Sequence, residues 1–264
     1  VPQITPIVLS EGWNMMAYLP SVASSPEMAL DGMVEEIIIV KDVLGNVYWP
    51  YFNLNTIGAL EPGKGYQLKV QNDIVFNYPN IQNEQRPVST VTPPMFYKET
   101  SCTGSNMTVL ILESAWVEKP QIGDEIVAYD ANSNIVASTV FTGSNQVLTL
   151  WGDDVTTEFK EALNTGESFY LNLWNKETEV INKLEVYAYT QGDGTYTEND
   201  IQIISSIGTG SQMTASALHL KAIIPNPSAG SVSLALSNPI VQDLEFVIFN
   251  SLGEIVFSKE TANY

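Results

Sequence analysis

Hydrophobic and polar positions alternate over most of the chain. Short runs rich in Val, Ile, Thr, Tyr and Phe recur between clusters of Gly, Asn, Asp, Ser and Pro, the pattern of strands joined by turns. Runs of this kind fall at 36–40, 65–70, 107–112, 125–129, 147–151, 168–174 and 184–189, and again at 231–236, 244–249 and 254–258. In 168–174, Phe169, Leu171 and Leu173 alternate with Tyr170, Asn172 and Trp174, as a strand with one face on a core and one on solvent requires. Helical signal is thin. Ser25, followed by Pro26 in the first turn, opens one short helix. A second is expected over 154–163, where Phe159 and Leu163 stand four apart. The pattern predicts an all-β chain of tandem small β-sandwich, immunoglobulin-like modules with one or two short helices.

Three segments, 40–48, 128–136 and 248–256, share a hairpin signature. In each a β run ends, Asp42, Asp130 or Asn250 starts a turn, and Gly45, Ser133 or Gly253 follows three residues later. Asp and Asn cap their own turns, and Gly accepts the positive φ that precedes a return strand. Two stretches read as linkers: 80–94, polar and Pro-bearing, and 208–216, built of small residues. They divide the chain into modules at 1–85, 90–207 and 217–264. Packed modules and beads on linkers both satisfy this pattern.

With 44% hydrophobic and 16% charged residues, the chain reads as globular. Eleven Lys and Arg against 30 Asp and Glu give a net charge of −19. The module 90–207 holds 17 of the acidic residues and 5 of the basic ones. That balance argues against nucleic acid and against docking on an anionic membrane surface. No apolar run approaches the roughly 18–20 residues that span a bilayer, so no membrane-spanning segment is expected. Val1 comes without an initiator Met or a visible signal peptide, and the chain is read as part of a longer precursor. A single cysteine, Cys102, precludes an intrachain disulfide, and a single histidine, His219, leaves no paired zinc motif.

The last fifth of the chain carries the most specific pattern. His219 to Ile224 leads into Pro225, Asn226, Pro227 and Ser228, a rigid turn relaxed by Gly230. Alternating Val232, Leu234 and Leu236 follow, then the hairpin with Asn250, Gly253 and Val256. In turn, strand and hairpin, and in their order, this segment resembles the type A C-terminal sorting domain of proteins exported by the type IX secretion system of Bacteroidota. The resemblance implies an immunoglobulin-like sandwich recognised by the outer-membrane translocon and its shuttle protein. Pro225, Asn226, Pro227, Ser228 and Gly230 would form the recognition turn, and Asn250 and Gly253 the hairpin. The family's pattern continues past this point, so further strands and a basic terminus are expected beyond Tyr264. A sandwich cut there would leave an open sheet edge. Gly12-Trp13-Asn14 with the segment 60–68, and separately the stretch from Thr103 to Phe169, resemble modules that recur in the same precursors.

Other candidate chemistry is sparse. Gly63-Lys64-Gly65 lacks the glycine frame and following helix of a phosphate loop, and a strand follows it. Asp193, Glu198 and Asp200 lie in one loop and are the candidate calcium ligands; no other cofactor is implied. Asp153 and Asp154 read as caps. Trp49, Tyr51, Trp116, Trp151 and Trp174 are expected mostly in cores, with exposed members available to stack on sugars. No catalytic site emerges. The expectation is therefore a non-catalytic region of a cargo protein, secreted or held at the cell surface of a Gram-negative bacterium. The alternative makes residues 1–207 an adhesin or a set of carbohydrate-binding modules for surface glycans, with the tail as an address label.

Overall fold

The computed structural model describes residues 5–81, 92–97, 102–154 and 156–210, together with the strands His219–Ile224, Ser233–Ser237, Leu244–Phe249 and Ile255–Thr261. The chain folds as two compact units, Val1–Thr209 and Gly210–Tyr264. It is all-β and sandwich-like; helix among the described residues is confined to one four-residue turn and short 3₁₀ segments.

The first unit begins with β1 (Ile7–Leu9), β2 (Gly12–Ala17), α1 (Pro26–Ala29), β3 (Ile37–Lys41), β4 (Val47–Trp49), β5 (Leu54–Asn55), β6 (Gly65–Val70) and β7 (Ile74–Phe76). It continues through β8 (Asn106–Ile111), β9 (Glu125–Tyr129), β10 (Ile135–Val140), β11 (Gln146–Trp151), β12 (Tyr170–Trp174), β13 (Ile181–Gln191) and β14 (Ile201–Thr209). The second unit holds β15 (His219–Ile224) paired with β16 (Ser233–Ser237), and β17 (Leu244–Phe249) paired with β18 (Ile255–Thr261), both antiparallel.

Antiparallel pairing in the order β2-β6-β3-β4-β5 makes a five-stranded sheet, and β1 and β7 form a separate ribbon. Met16, Val40, Tyr66, Leu68 and Val70 lie on one side of the sheet and share a core with Ala29, Leu30 and Met33 from the α1 region. The helix starts where the sequence places it: Ser25 Oγ accepts from the Met28 N–H at 3.3 Å, with Pro26 in the first turn.

The second sheet has the order β10-β9-β12-β13-β14-β8-β11, antiparallel except where β14 meets β8. All seven strands send side chains into one core, among them Val136, Ile126, Leu171, Leu184, Ile204, Val109 and Leu148. A flat sheet has no such common interior, so this one curls until its two end strands face each other. Gln146 Nε2 on β11 donates to Thr139 Oγ1 on β10 at 2.8 Å across the resulting seam.

Strand β8 is buried at every position. Met107, Val109 and Ile111 enter the curled core, while Leu110 packs with Ile201 and Ile203 of β14 against Ile39, Val47 and Trp49 of the five-stranded sheet. The two sheets are therefore one body. Trp13 Nε1 donates to the Asn199 carbonyl at 3.0 Å, and Thr149 Oγ1 to the Gly45 carbonyl at 2.7 Å. Gly45 has φ 82°, and a Cβ there would collide with Thr149, so both turn and junction require glycine. Thr149→Val keeps the shape but deletes the bond between sheets. It is expected to lower the stability of the body by about 1 kcal/mol, read by urea denaturation.

Both described Asp turns obey one geometry. Asp42 Oδ1 accepts from the N–H groups of Leu44 (2.9 Å) and Asn46 (2.8 Å), and Oδ2 from the Asn46 amide (2.8 Å). Asp130 repeats this with Asn132 (2.9 Å), the Asn134 N–H (2.8 Å) and the Asn134 amide (2.9 Å). Burial pushes the Asp130 carboxyl up, but the Asn134 and Asn132 hydrogen bonds and the Lys160 ammonium outweigh it and hold it below the usual range.

Two expectations fail. The described residues of 154–163 form no helix. Asp154 Oδ1 accepts from Thr156 N and Oγ1, and Asp153 Oδ1 from Glu161 N at 2.6 Å, which turns the backbone into a loop. Phe159 is 80% exposed and Leu163 1%, so the pair shares no face. Gly208 is not linker but strand, paired with Glu185; a Cβ there would press on Tyr187 and Val117.

Candidate functional site

The sorting turn Pro225, Asn226, Pro227, Ser228 and Gly230, and the hairpin residues Asn250 and Gly253, lie outside the described residues. Their flanks are described. Ile224 pairs with Ser233, and Phe249 with Ile255, so each antiparallel pair reaches to the border of the sequence motif. On β18, Ile255, Val256 and Phe257 are 62%, 59% and 48% exposed.

The candidate calcium loop is held by its own hydrogen bonds. Asp193 Oδ1 accepts from Thr195 N (2.9 Å) and Oγ1 (2.6 Å), which draw its carboxyl below the usual range. Asp200 N donates to the Thr197 carbonyl, and the Asp200 carbonyl accepts from Thr108 N. Among the described residues no group of three or more His, Cys, Asp or Glu side chains converges, so Asp193, Glu198 and Asp200 are not brought together. Gly63-Lys64-Gly65 is a turn feeding β6, with Gly63 at φ 75°.

Of the aromatic candidates, Trp49, Trp116 and Trp151 are buried. Trp174 stacks on Phe96, with centroids 4.7 Å apart and planes 5° from parallel. Tyr51 is different: it is 86% exposed on a 3₁₀ turn, Pro50–Phe52. Its ring stands edge-on to Phe52 at 4.9 Å, and Phe52 stands edge-on to Trp49 at 5.0 Å. The ladder props one tyrosine face into solvent.

Three features went unread in the sequence. The Glu125 carboxylate, 2% exposed, accepts from the consecutive N–H groups of Met95, Phe96 and Tyr97 at 2.6–3.0 Å. Residues expected to end or follow a linker are thus clamped to β9. Lys41 is fully buried between the sheets, and its Nζ has no hydrogen-bond partner among the described residues. It lies 5.1 Å from the Trp13 ring centroid, with Lys69 at 5.5 Å from the same ring. Burial, and secondarily the Lys69 charge, lowers the Lys41 ammonium to about 8. Finally, a cleft of about 590 Å³ opens in the first unit between the 44–56 segment and the β10–β11 seam. Amides and hydroxyls such as Asn46, Asn53, Asn55, Thr139, Asn145 and Gln146 line it beside Leu44, Leu54, Val147 and Trp151, and none of its described residues is Asp, Glu, Lys or Arg. The signals were faint: a lysine closing the run Ile37–Lys41, a glutamate opening β9, and Asn and Thr scattered over several turns and strands.

Among the described residues no helix is long and apolar enough to cross a membrane. Comparison of the chain with protein-family models, with curated proteins and with solved structures finds no match in any of the three.

Proposed function

We propose that the chain is a non-catalytic region of an exported cargo protein. Residues 217–264 are the address read by the type IX outer-membrane translocon and its shuttle protein, and residues 1–209 are folded cargo delivered to the surface or medium of a Gram-negative bacterium. The observation that carries this reading is the order of Pro225-Asn226-Pro227-Ser228 with Gly230, the alternating strand, and the Asn250–Gly253 hairpin. The antiparallel pairs Ile224–Ser233 and Phe249–Ile255, which flank the two motifs, support it. Recognition then works through a turn of fixed shape, because proline restricts φ and limits the conformations lost on binding. The acids of the body support the non-catalytic part: Asp42, Asp130, Asp154 and Asp193 each accept backbone N–H groups of their own turns, which is structural work.

The test incubates tagged 1–264 and tagged 1–216 with detergent-extracted outer membranes of a type IX-competent bacterium and identifies retained proteins by mass spectrometry. Translocon or shuttle components are expected with 1–264 alone, and their capture should fall at least tenfold with Asn226→Ala plus Gly230→Val. Equal capture by 1–216, or capture by neither, overturns the proposal.

A further inference from the structure

We infer that the cleft between the 44–56 segment and the β10–β11 seam is a binding site for an uncharged oligosaccharide. Its volume, about 590 Å³, lies within the range of roughly 300–1,000 Å³ typical of small-ligand sites. The chain carries a net charge of −19, yet none of the described residues lining the cleft is Asp, Glu, Lys or Arg. A sugar hydroxyl donates and accepts at once, and so do the side-chain amides and the Ser and Thr hydroxyls that line the wall, while Leu44, Leu54, Val140, Val147 and Trp151 offer apolar surface to its C–H groups. Such a wall binds without stripping water from an ion, the costliest step in burying polar groups.

The second, independent observation is Tyr51. It stands 86% exposed two residues before Asn53, an exposed cleft residue whose backbone is left-handed at φ 49°. Exposed aromatic faces take the apolar C–H face of a pyranose ring, and the edge-to-face contact with Phe52 fixes this face in advance. A planar stacking face two residues from a wall that mixes amides, hydroxyls and apolar side chains suits a ligand with alternating apolar and hydroxylated surfaces. A charged glycan is disfavoured, because the surrounding negative field repels an anion and none of the described residues of the wall is a carboxylate that would pair with a cation. An extended peptide added to the edge of β10 or β11 is the competing occupant. Tyr51 favours the sugar, because strand addition makes no use of an exposed aromatic face. This inference does not depend on the mode of export.

The test titrates ¹⁵N-labelled 1–264 with cellohexaose, laminarihexaose, mannohexaose and xylohexaose, with tetragalacturonate as the charged counterpart and with an alternating Thr-Val octapeptide. At least one neutral hexaose is expected to give saturable shifts at the Asn53, Asn145 and Gln146 amides. Tyr51→Ala and Asn53→Ala should each weaken that binding at least tenfold while leaving the remaining spectrum in place, and Asn53→Gly, which keeps the left-handed backbone at no strain, should weaken it as Asn53→Ala does. Cys102, which also lines the cleft and is the single cysteine, gives a second readout, since a bulky maleimide there should block binding. The inference is overturned if no neutral hexaose binds, if tetragalacturonate or the peptide binds more tightly, or if bound sugar ignores substitution at both positions.

Discussion

Replacing Lys41 with methionine is expected to stabilise the body of the protein by about 2 kcal/mol at pH 7. The lysine is fully buried and its ammonium lacks a hydrogen-bond partner among the described residues. Lowering its pKa from the ordinary 10.5 to about 8 corresponds to about 3 kcal/mol of penalty on the charged form. Attraction to the Trp13 ring offsets about 1 kcal/mol of this, which leaves the net figure. Methionine matches the stem in length and fills the same space without a charge. The pH dependence follows from linkage. Below pH 8 the folded and unfolded states both carry the proton and the penalty is complete. Between pH 8 and 10 the unfolded chain holds a proton that the folded state has released, so stability rises with pH. Above pH 10 the buried tyrosines reverse the trend: burial raises Tyr18 and Tyr48 to about 12, so unfolding is favoured once free tyrosine ionises. Urea midpoints of the parent and Lys41→Met from pH 6.5 to 10 give the check. A rise in the parent that is absent in the variant agrees with this account; a variant less stable than the parent at pH 7 contradicts it.

The second large effect is expected at Glu125. Its carboxylate holds three consecutive backbone N–H groups, the kind of charge-assisted bond worth about 1.5–3 kcal/mol singly. The bonds also keep Phe96 stacked on Trp174 and Tyr97 at 5% exposure. Glu125→Ala should release residues 92–97 at a cost of about 3 kcal/mol, because one anchor serves all three bonds. Chymotrypsin cleavage at Phe96 and Tyr97 should then rise about 100-fold, following the population of the open form. Glu125→Gln, which keeps one acceptor oxygen, should fall between the two. An unchanged cleavage rate in the alanine variant would show that the clamp does not hold the segment.

How much of this was legible depended on whether the signal was local. Alternation in 168–174 placed Phe169, Leu171 and Leu173 in the core correctly, because a half-buried strand writes its two environments at period two. The turns at Asp42 and Asp130 were legible for the same reason, each being five residues of self-contained chemistry. The helix at Ser25 was readable from its cap, whereas the one expected over 154–163 rested on a four-residue spacing alone, and the two aspartates before it bind loop amides instead. Burial on both faces was not legible. In β8, Leu110 packs against a second sheet, and Asn106 and Thr108, which alternate with the core residues, are buried as well; nothing local distinguishes that surface from one facing water. The Lys41, Glu125 and cleft features are products of that packing, since each joins residues brought together only when segments far apart in sequence meet.

The central claim is that residues 217–264 direct export. The measurement that tests it most directly places a fluorescent reporter behind a Sec signal peptide and ahead of residues 1–264 or 1–209, in a type IX-competent bacterium and in a translocon-null strain. The account predicts reporter outside the outer membrane only for 1–264 in the competent strain, with periplasmic retention in the other three combinations. Export of the 1–209 fusion at the same level, or release of 1–264 from the translocon-null strain, would contradict it.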